Sequence, residues 1–142
     1  MKQLLAKLKV PKTLLITYLV IYLSCGLIMQ SIGIHFKIAR FIYWWQIATC
    51  YLCYMVPVSL LIRDKSVLDQ YAYGVVAIAF LEFFGYAFGS SIAFDGNFIE
   101  YYFGKVNFTL SMTIFFGTYF PLGNWAVAKI EGAVFKRKES SE

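Results

Sequence analysis

Four apolar segments, each long enough to cross a lipid bilayer, constrain the fold of this chain more than any other feature. They run over residues 13–34, 41–62, 71–94 and 108–128. About 20 residues of α-helix span the roughly 30 Å of bilayer hydrocarbon. Transmembrane strands would instead need segments of about 10 residues with alternating polarity, and that pattern is absent. The sequence therefore predicts an all-α integral membrane protein.

Composition agrees with this prediction. Hydrophobic residues make up 60% of the 142 residues and charged residues 15%, whereas a soluble domain has about 25% charged residues. Almost every residue falls in an apolar segment or a short connection, so we expect a single four-helix transmembrane domain over 1–142, with a basic tail at 129–142. Short connections make sequential helices antiparallel neighbours, which predicts an antiparallel four-transmembrane-helix bundle.

The distribution of lysine and arginine predicts orientation. Ten of the 13 basic residues lie before the first segment, in the second connection or in the tail; the other three are Lys37, Arg40 and Lys105. By the positive-inside tendency, this multi-pass protein has both termini in the cytoplasm. The basic residues flank apolar segments instead of forming a groove-lining stretch, so the expected partner is the lipid bilayer and not nucleic acid. The stretch "MKQLLAKLKV" predicts a short amphipathic segment on the membrane surface, ending at Pro11.

One carboxylate, Glu82, lies near the middle of the third segment. A lone charge in hydrocarbon costs several kcal/mol, and no lysine or arginine lies at the same depth. We therefore expect a neutral acid, or one compensated by a cation or a polar cavity. Gly85 and Gly89 share its helical face as a GxxxG pair, and Gly117 is a small residue on the fourth segment; such residues favour close helix packing. These features predict that Glu82 faces protein and not lipid.

The other segments each carry a stripe of polar or small residues, and together these stripes predict one interior polar site. The residues expected to accompany Glu82 are Tyr22, Gln30, Gln46, Thr49, Cys50, Cys53 and Thr113. A second group of side chains predicts an outward aromatic surface that suits a lipid, quinone or pigment, or another subunit: Phe80, Phe83, Phe84, Tyr86 and Phe88.

Enzymatic chemistry has little support in the sequence. Cys50 and Cys53 form a CxxC pair, which makes a membrane thiol oxidoreductase the main enzymatic alternative, but thiolate formation in hydrocarbon is disfavoured and no second reactive pair follows. His35 is the one histidine, which argues against bis-histidine haem ligation. The sequence offers no nucleophile paired with a base and no phosphate-binding loop, so we predict no catalytic site, no metal and no cofactor.

Two functions remain open at this stage. The first is a binding or accessory module for another membrane component or an apolar ligand, with Glu82 as the polar determinant of the site. Its partner would be another membrane protein subunit or a second copy of the chain. The alternative is a small proton- or cation-coupled transporter or channel subunit that uses Glu82.

Overall fold

The computed structural model describes residues 8–87 and 92–139, and this part of the chain is all-helical. Residues 1–7, which contain most of the predicted amphipathic segment, lie outside the described part. Within it, six helices follow one another: α1 (Lys12–His35), α2 (Trp44–Ile62), α3 (Val67–Ala87), α4 (Phe98–Phe103), α5 (Lys105–Gly117) and α6 (Tyr119–Glu139). The prediction of an all-α chain is confirmed.

Helices α1, α2 and α3 are each long and apolar enough to cross a membrane, which supports the prediction of a membrane protein. The fourth predicted segment is instead divided between α5 and α6. Pro121 has no N–H to donate to the carbonyl of Gly117, so the helical hydrogen-bond ladder is interrupted there. The amide of Thr118 donates to the carbonyl of Phe115 in a tighter turn, at 3.1 Å.

Helix α3 is described over Val67–Ala87, whereas the third predicted segment runs on to residue 94. Residues 92–94 pair in antiparallel fashion with residues 38–40 from the connection between α1 and α2. The amide of Arg40 donates to the carbonyl of Ile92 at 2.8 Å, and the amide of Phe94 donates to the carbonyl of Ile38 at 2.9 Å. An apolar run gives no sign of whether its backbone is satisfied by a helix or by such pairing, which is why composition placed residues 92–94 in the helix.

Helix α2 contains a π-helical segment, Ala48–Met55, between two α-helical parts. The amide of Val56 accordingly donates to the carbonyl of Tyr51, five residues back. A π-helix holds more residues per turn than an α-helix, so side chains leave the face that a 100° rotation assigns to them. Cys53 is exposed as a result, and the prediction that it shares an interior face with Gln46 and Cys50 is wrong.

Helix α3 crosses the junction of α5 and α6 at two glycines. A Cβ on Gly74 would collide with the ring of Phe120 and would lie 2.9 Å from the carbonyl oxygen of Gly117. A Cβ on Gly117 would lie 3.2 Å from the backbone nitrogen of Val75. Small residues thus let these backbones approach closely, as in other membrane helix pairs.

Candidate functional site

A cluster of buried hydrogen-bonded side chains, which we name the Asn124 network, joins α1, α2, α3 and α6. Asn124 is at its centre, because its Oδ1 accepts from the hydroxyls of Tyr18 at 2.6 Å and Ser59 at 3.0 Å. The Nδ2 of Asn124 donates to Oε1 of Gln70 at 2.9 Å. The hydroxyls of Tyr22 and Ser59 lie 2.6 Å apart and share a further hydrogen bond. All five side chains are buried.

The Asn124 network is satisfied by the protein itself. Nε2 of Gln70 donates to the carbonyls of Arg63 at 3.1 Å and Lys65 at 2.8 Å, which anchors the network to the connection between α2 and α3. Gly123 lies directly against Tyr22, and a Cβ there would be 2.5 Å from the tyrosine hydroxyl. A buried network whose members all have partners fixes one arrangement of helices and offers no group to a ligand.

A cavity of about 510 Å³ lies farther along the same helices, between α1, α2, α3 and α5. The paired connections close one end of it, since Ile38, Ala39, Ile92 and Ala93 are all on its wall. Its size is within the range of small-molecule sites, roughly 300–1,000 Å³. Most of its wall is apolar, and seven of the described residues on it are aromatic: Phe41, Trp45, Tyr51, Phe84, Phe108, Phe115 and Phe116.

Glu82 is on the wall of this cavity. Among the described residues there, it is the one aspartate or glutamate. The remaining polar side chains on the wall include Gln30, Gln46, Thr49, Cys50 and Thr109. In residues 8–87 and 92–139, no hydrogen bond to the Glu82 carboxyl and no ion pair with it are found, and no lysine, arginine or histidine is on the wall. The acid therefore lacks a described protein partner.

The neighbouring amides and hydroxyl are already engaged with the backbone. Oε1 of Gln46 accepts from the amides of Ile42 at 2.8 Å and Tyr43 at 2.9 Å. The carboxamide of Gln30 exchanges two hydrogen bonds with the backbone of Phe41, at 2.8 and 3.0 Å. The hydroxyl of Thr49 donates to the carbonyl of Trp45 at 2.8 Å. These contacts hold the start of α2 and the loop before it in place, so the side chains shape the cavity.

Part of the cavity wall is exposed at the outer surface of the helices. Trp45, Phe84 and Phe115 are on the wall and yet are 51%, 50% and 49% exposed, and Thr49 is exposed as well. The cavity is therefore not fully enclosed by the described residues.

The structure brings together only part of the predicted polar site. Gln30, Gln46, Thr49, Cys50 and Glu82 are all on the cavity wall, as is Gly85 from the predicted packing pair. Tyr22 belongs to the Asn124 network, Thr113 is buried away from the cavity and Cys53 is exposed. Gly89 lies outside the described residues.

Several participants were missed from the sequence. Ser59 and Gln70 lie outside the predicted mid-membrane depth, and no periodic signal separates them from surface polar residues at the ends of a span. Tyr51 on the cavity wall was also missed. Of the predicted aromatic surface, Phe80 and Phe83 are exposed, while the side chain of Tyr86 and residue 88 lie outside the description.

The geometry gives little support to thiol or metal chemistry. Cys50 is on the cavity wall and Cys53 is on the exposed side of α2, so the two thiols face different surroundings. No group of three or more potential metal ligands of the histidine, cysteine or acidic type is found within the described ranges.

Comparison of the chain with protein-family models, curated proteins and solved structures finds no match. The fold and the cavity are therefore the observations from which a function is argued.

Proposed function

We propose that this chain is a multi-pass membrane protein that binds an apolar ligand in the cavity, and so acts as a binding or accessory module for another membrane component. The observation that carries the proposal is the aromatic-rich cavity, with a partly exposed wall and one acid without a described partner. Concave, largely apolar sites with a few polar groups are typical of small-molecule binding. A lipid, quinone or pigment has the required apolar surface.

The proposal includes a fourth membrane crossing, made by α5 and α6 together, and an antiparallel bundle with both termini in the cytoplasm. Tyr22 in the first half of α1 bonds to Ser59 in the second half of α2, and Gln70 near the start of α3 bonds to Asn124 of α6. These pairings fit alternating helix directions. Ser66→Cys and Asp95→Cys, each in a cysteine-free background, test the orientation: an impermeant maleimide added to intact cells should label only the second. Labelling of both or of neither before permeabilisation would contradict it.

Native mass spectrometry after purification in a mild detergent tests ligand binding. Met112 is on the cavity wall, whereas Leu110 on the same helix is exposed and away from it. Met112→Trp should narrow the cavity and reduce retention of a bound lipid-sized molecule, while Leu110→Trp should retain it as the unaltered chain does. A ligand-free monomer from the unaltered chain, or equal retention in both variants, would overturn the proposal.

Coupled transport is the second candidate, and the position of Glu82 on the cavity wall, without a partner among the described residues, favours it. An ionisable group inside a membrane protein commonly marks an ion or proton pathway. Proteoliposomes with an internal pH dye should show proton movement when a sodium or potassium gradient is imposed, and Glu82→Gln should abolish it without changing the amount of folded protein. Unchanged flux in that variant would remove this candidate.

A further inference from the structure

The charge of the cavity wall is unbalanced. Glu82 is an acid, and among the described residues on the wall no basic side chain accompanies it. Ionising a carboxyl in apolar surroundings is unfavourable unless an opposite charge comes close. The described part of the wall supplies no such charge, so a ligand that carries one would gain an interaction that no described side chain already provides.

The aromatic part of the wall points the same way. Aromatic rings carry a negative face that attracts cations, and quaternary ammonium groups are bound in proteins by cages of such rings. Seven described residues on the wall are aromatic, among them Phe84 of α3 and Trp45 of α2. An acid and several rings on the wall of one cavity form a recognition set for an apolar cation.

A neutral ligand with a carbonyl group would use donors on the wall but not the charge of Glu82. Nε2 of Gln30 donates to Phe41 and the hydroxyl of Thr49 donates to Trp45, whereas Gln46, Tyr51 and Thr109 supply further donors on the wall. An anionic ligand would meet the acid with no described base to offset it. Of the ligand classes that an apolar cavity admits, an organic cation is the one that would interact with both the acid and the aromatic rings of this wall.

We infer that the cavity binds a lipophilic organic cation, an ammonium or phosphonium group with apolar substituents, with the cationic centre beside Glu82 and the substituents against the aromatic rings. The inference rests on the proposed function and names the ligand class of the same site. It is separable from that proposal, because the cavity could bind an apolar molecule without selecting its charge.

Equilibrium dialysis in detergent with two probes of the same shape and opposite charge tests the inference. Tetraphenylphosphonium should bind saturably to the unaltered protein, and tetraphenylborate should not. Glu82→Gln should weaken binding of the cation about 30-fold or more, the usual scale for removing one partner of a desolvated charge pair. Asp69→Asn removes a charge from the exposed start of the same helix and should leave binding unchanged. Glu82→Asp, which keeps the charge, should retain most of the binding.

A pair of aromatic variants tests the cation–ring contact. Phe84→Leu should weaken binding of tetraphenylphosphonium about 3- to 30-fold, while Phe80→Leu, one turn away and not on the wall, should leave it unchanged.

Absence of saturable binding of the cation, equal binding of both probes, or equal affinity of the unaltered protein and Glu82→Gln would overturn the inference. The proposed function would still stand in each case if Met112→Trp alone reduced retention of the bound molecule, so the two failures are distinguishable.

Discussion

The Asn124 network and the cavity occupy different lengths of the same helices and treat their polar groups in opposite ways. In the network, Asn124 alone engages Tyr18, Ser59 and Gln70, and each partner is buried. At the cavity, Glu82 has no described partner. A polar group in apolar surroundings is costly unless it is hydrogen-bonded. Where the protein supplies the bond, the bond fixes the register of the helices. Where no described residue supplies it, as at Glu82, the proposed function assigns the group to a ligand.

The largest expected effect comes from breaking the network at its centre. Asn124→Leu keeps the side-chain volume similar but leaves three buried groups without their partner, and we expect the free energy of unfolding to fall by roughly 2–4 kcal/mol. Reversible unfolding by SDS in mixed micelles measures it. Asn107→Leu, which removes an exposed asparagine bonded to the Phe103 carbonyl at the end of α4, should change stability by less than about 0.5 kcal/mol. Equal effects of the two variants would mean that the network contributes no special stability.

A smaller loss is expected at the glycine crossing. Gly74→Ala places a methyl group against the Phe120 ring and the Gly117 carbonyl and should reduce stability by about 1–3 kcal/mol in the same assay. Gly132→Ala on α6 meets open space and should be neutral or stabilising by up to about 1 kcal/mol, since alanine favours helix. A neutral Gly74→Ala would show that the helices can separate there without cost.

The smallest effect on stability is expected at the cavity, and it tests the contrast between Glu82 and the Asn124 network. Glu82→Gln removes an acid that has no described protein partner, so the free energy of unfolding should change by less than about 1 kcal/mol in either direction. Unfolding in SDS, with matched circular dichroism spectra, provides the measurement. A loss as large as that of Asn124→Leu would show that the acid is bonded within the protein, and the contrast between the two regions would disappear.

Much of the fold was predictable, because apolar segments of about 20 residues leave the backbone few alternatives to helix. The expected bounds 13–34 and 41–62 agree closely with Lys12–His35 and Trp44–Ile62. The later segments were less accurate, since residues 92–94 pair with a loop and Pro121 divides the fourth segment. Both departures depend on local backbone hydrogen bonds, which hydropathy does not report.

The candidate site was predicted only in part for a related reason. A rotation of 100° per residue brought Gln46, Cys50 and Glu82 to one region correctly, but it failed at Cys53, where the helix is π-helical. Tyr22 was assigned to the same site because its polarity says nothing about its depth relative to Ser59. Pairings between helices depend on packing in three dimensions, and those of the Asn124 network left no periodic trace in the sequence.

The π-helical segment Ala48–Met55 divides α2 into two parts whose side chains point in directions that one regular α-helix would not give them. Each backbone hydrogen bond in a π-helix spans five residues, whereas each bond in an α-helix spans four. A change from five-residue to four-residue spacing would rotate Trp45 and Gln46 about the helix axis relative to Ser59. The wall of the cavity could thereby turn while the anchored end of the helix stayed still. Such a screw-like adjustment would alter the shape of the binding space without any hinge in a loop.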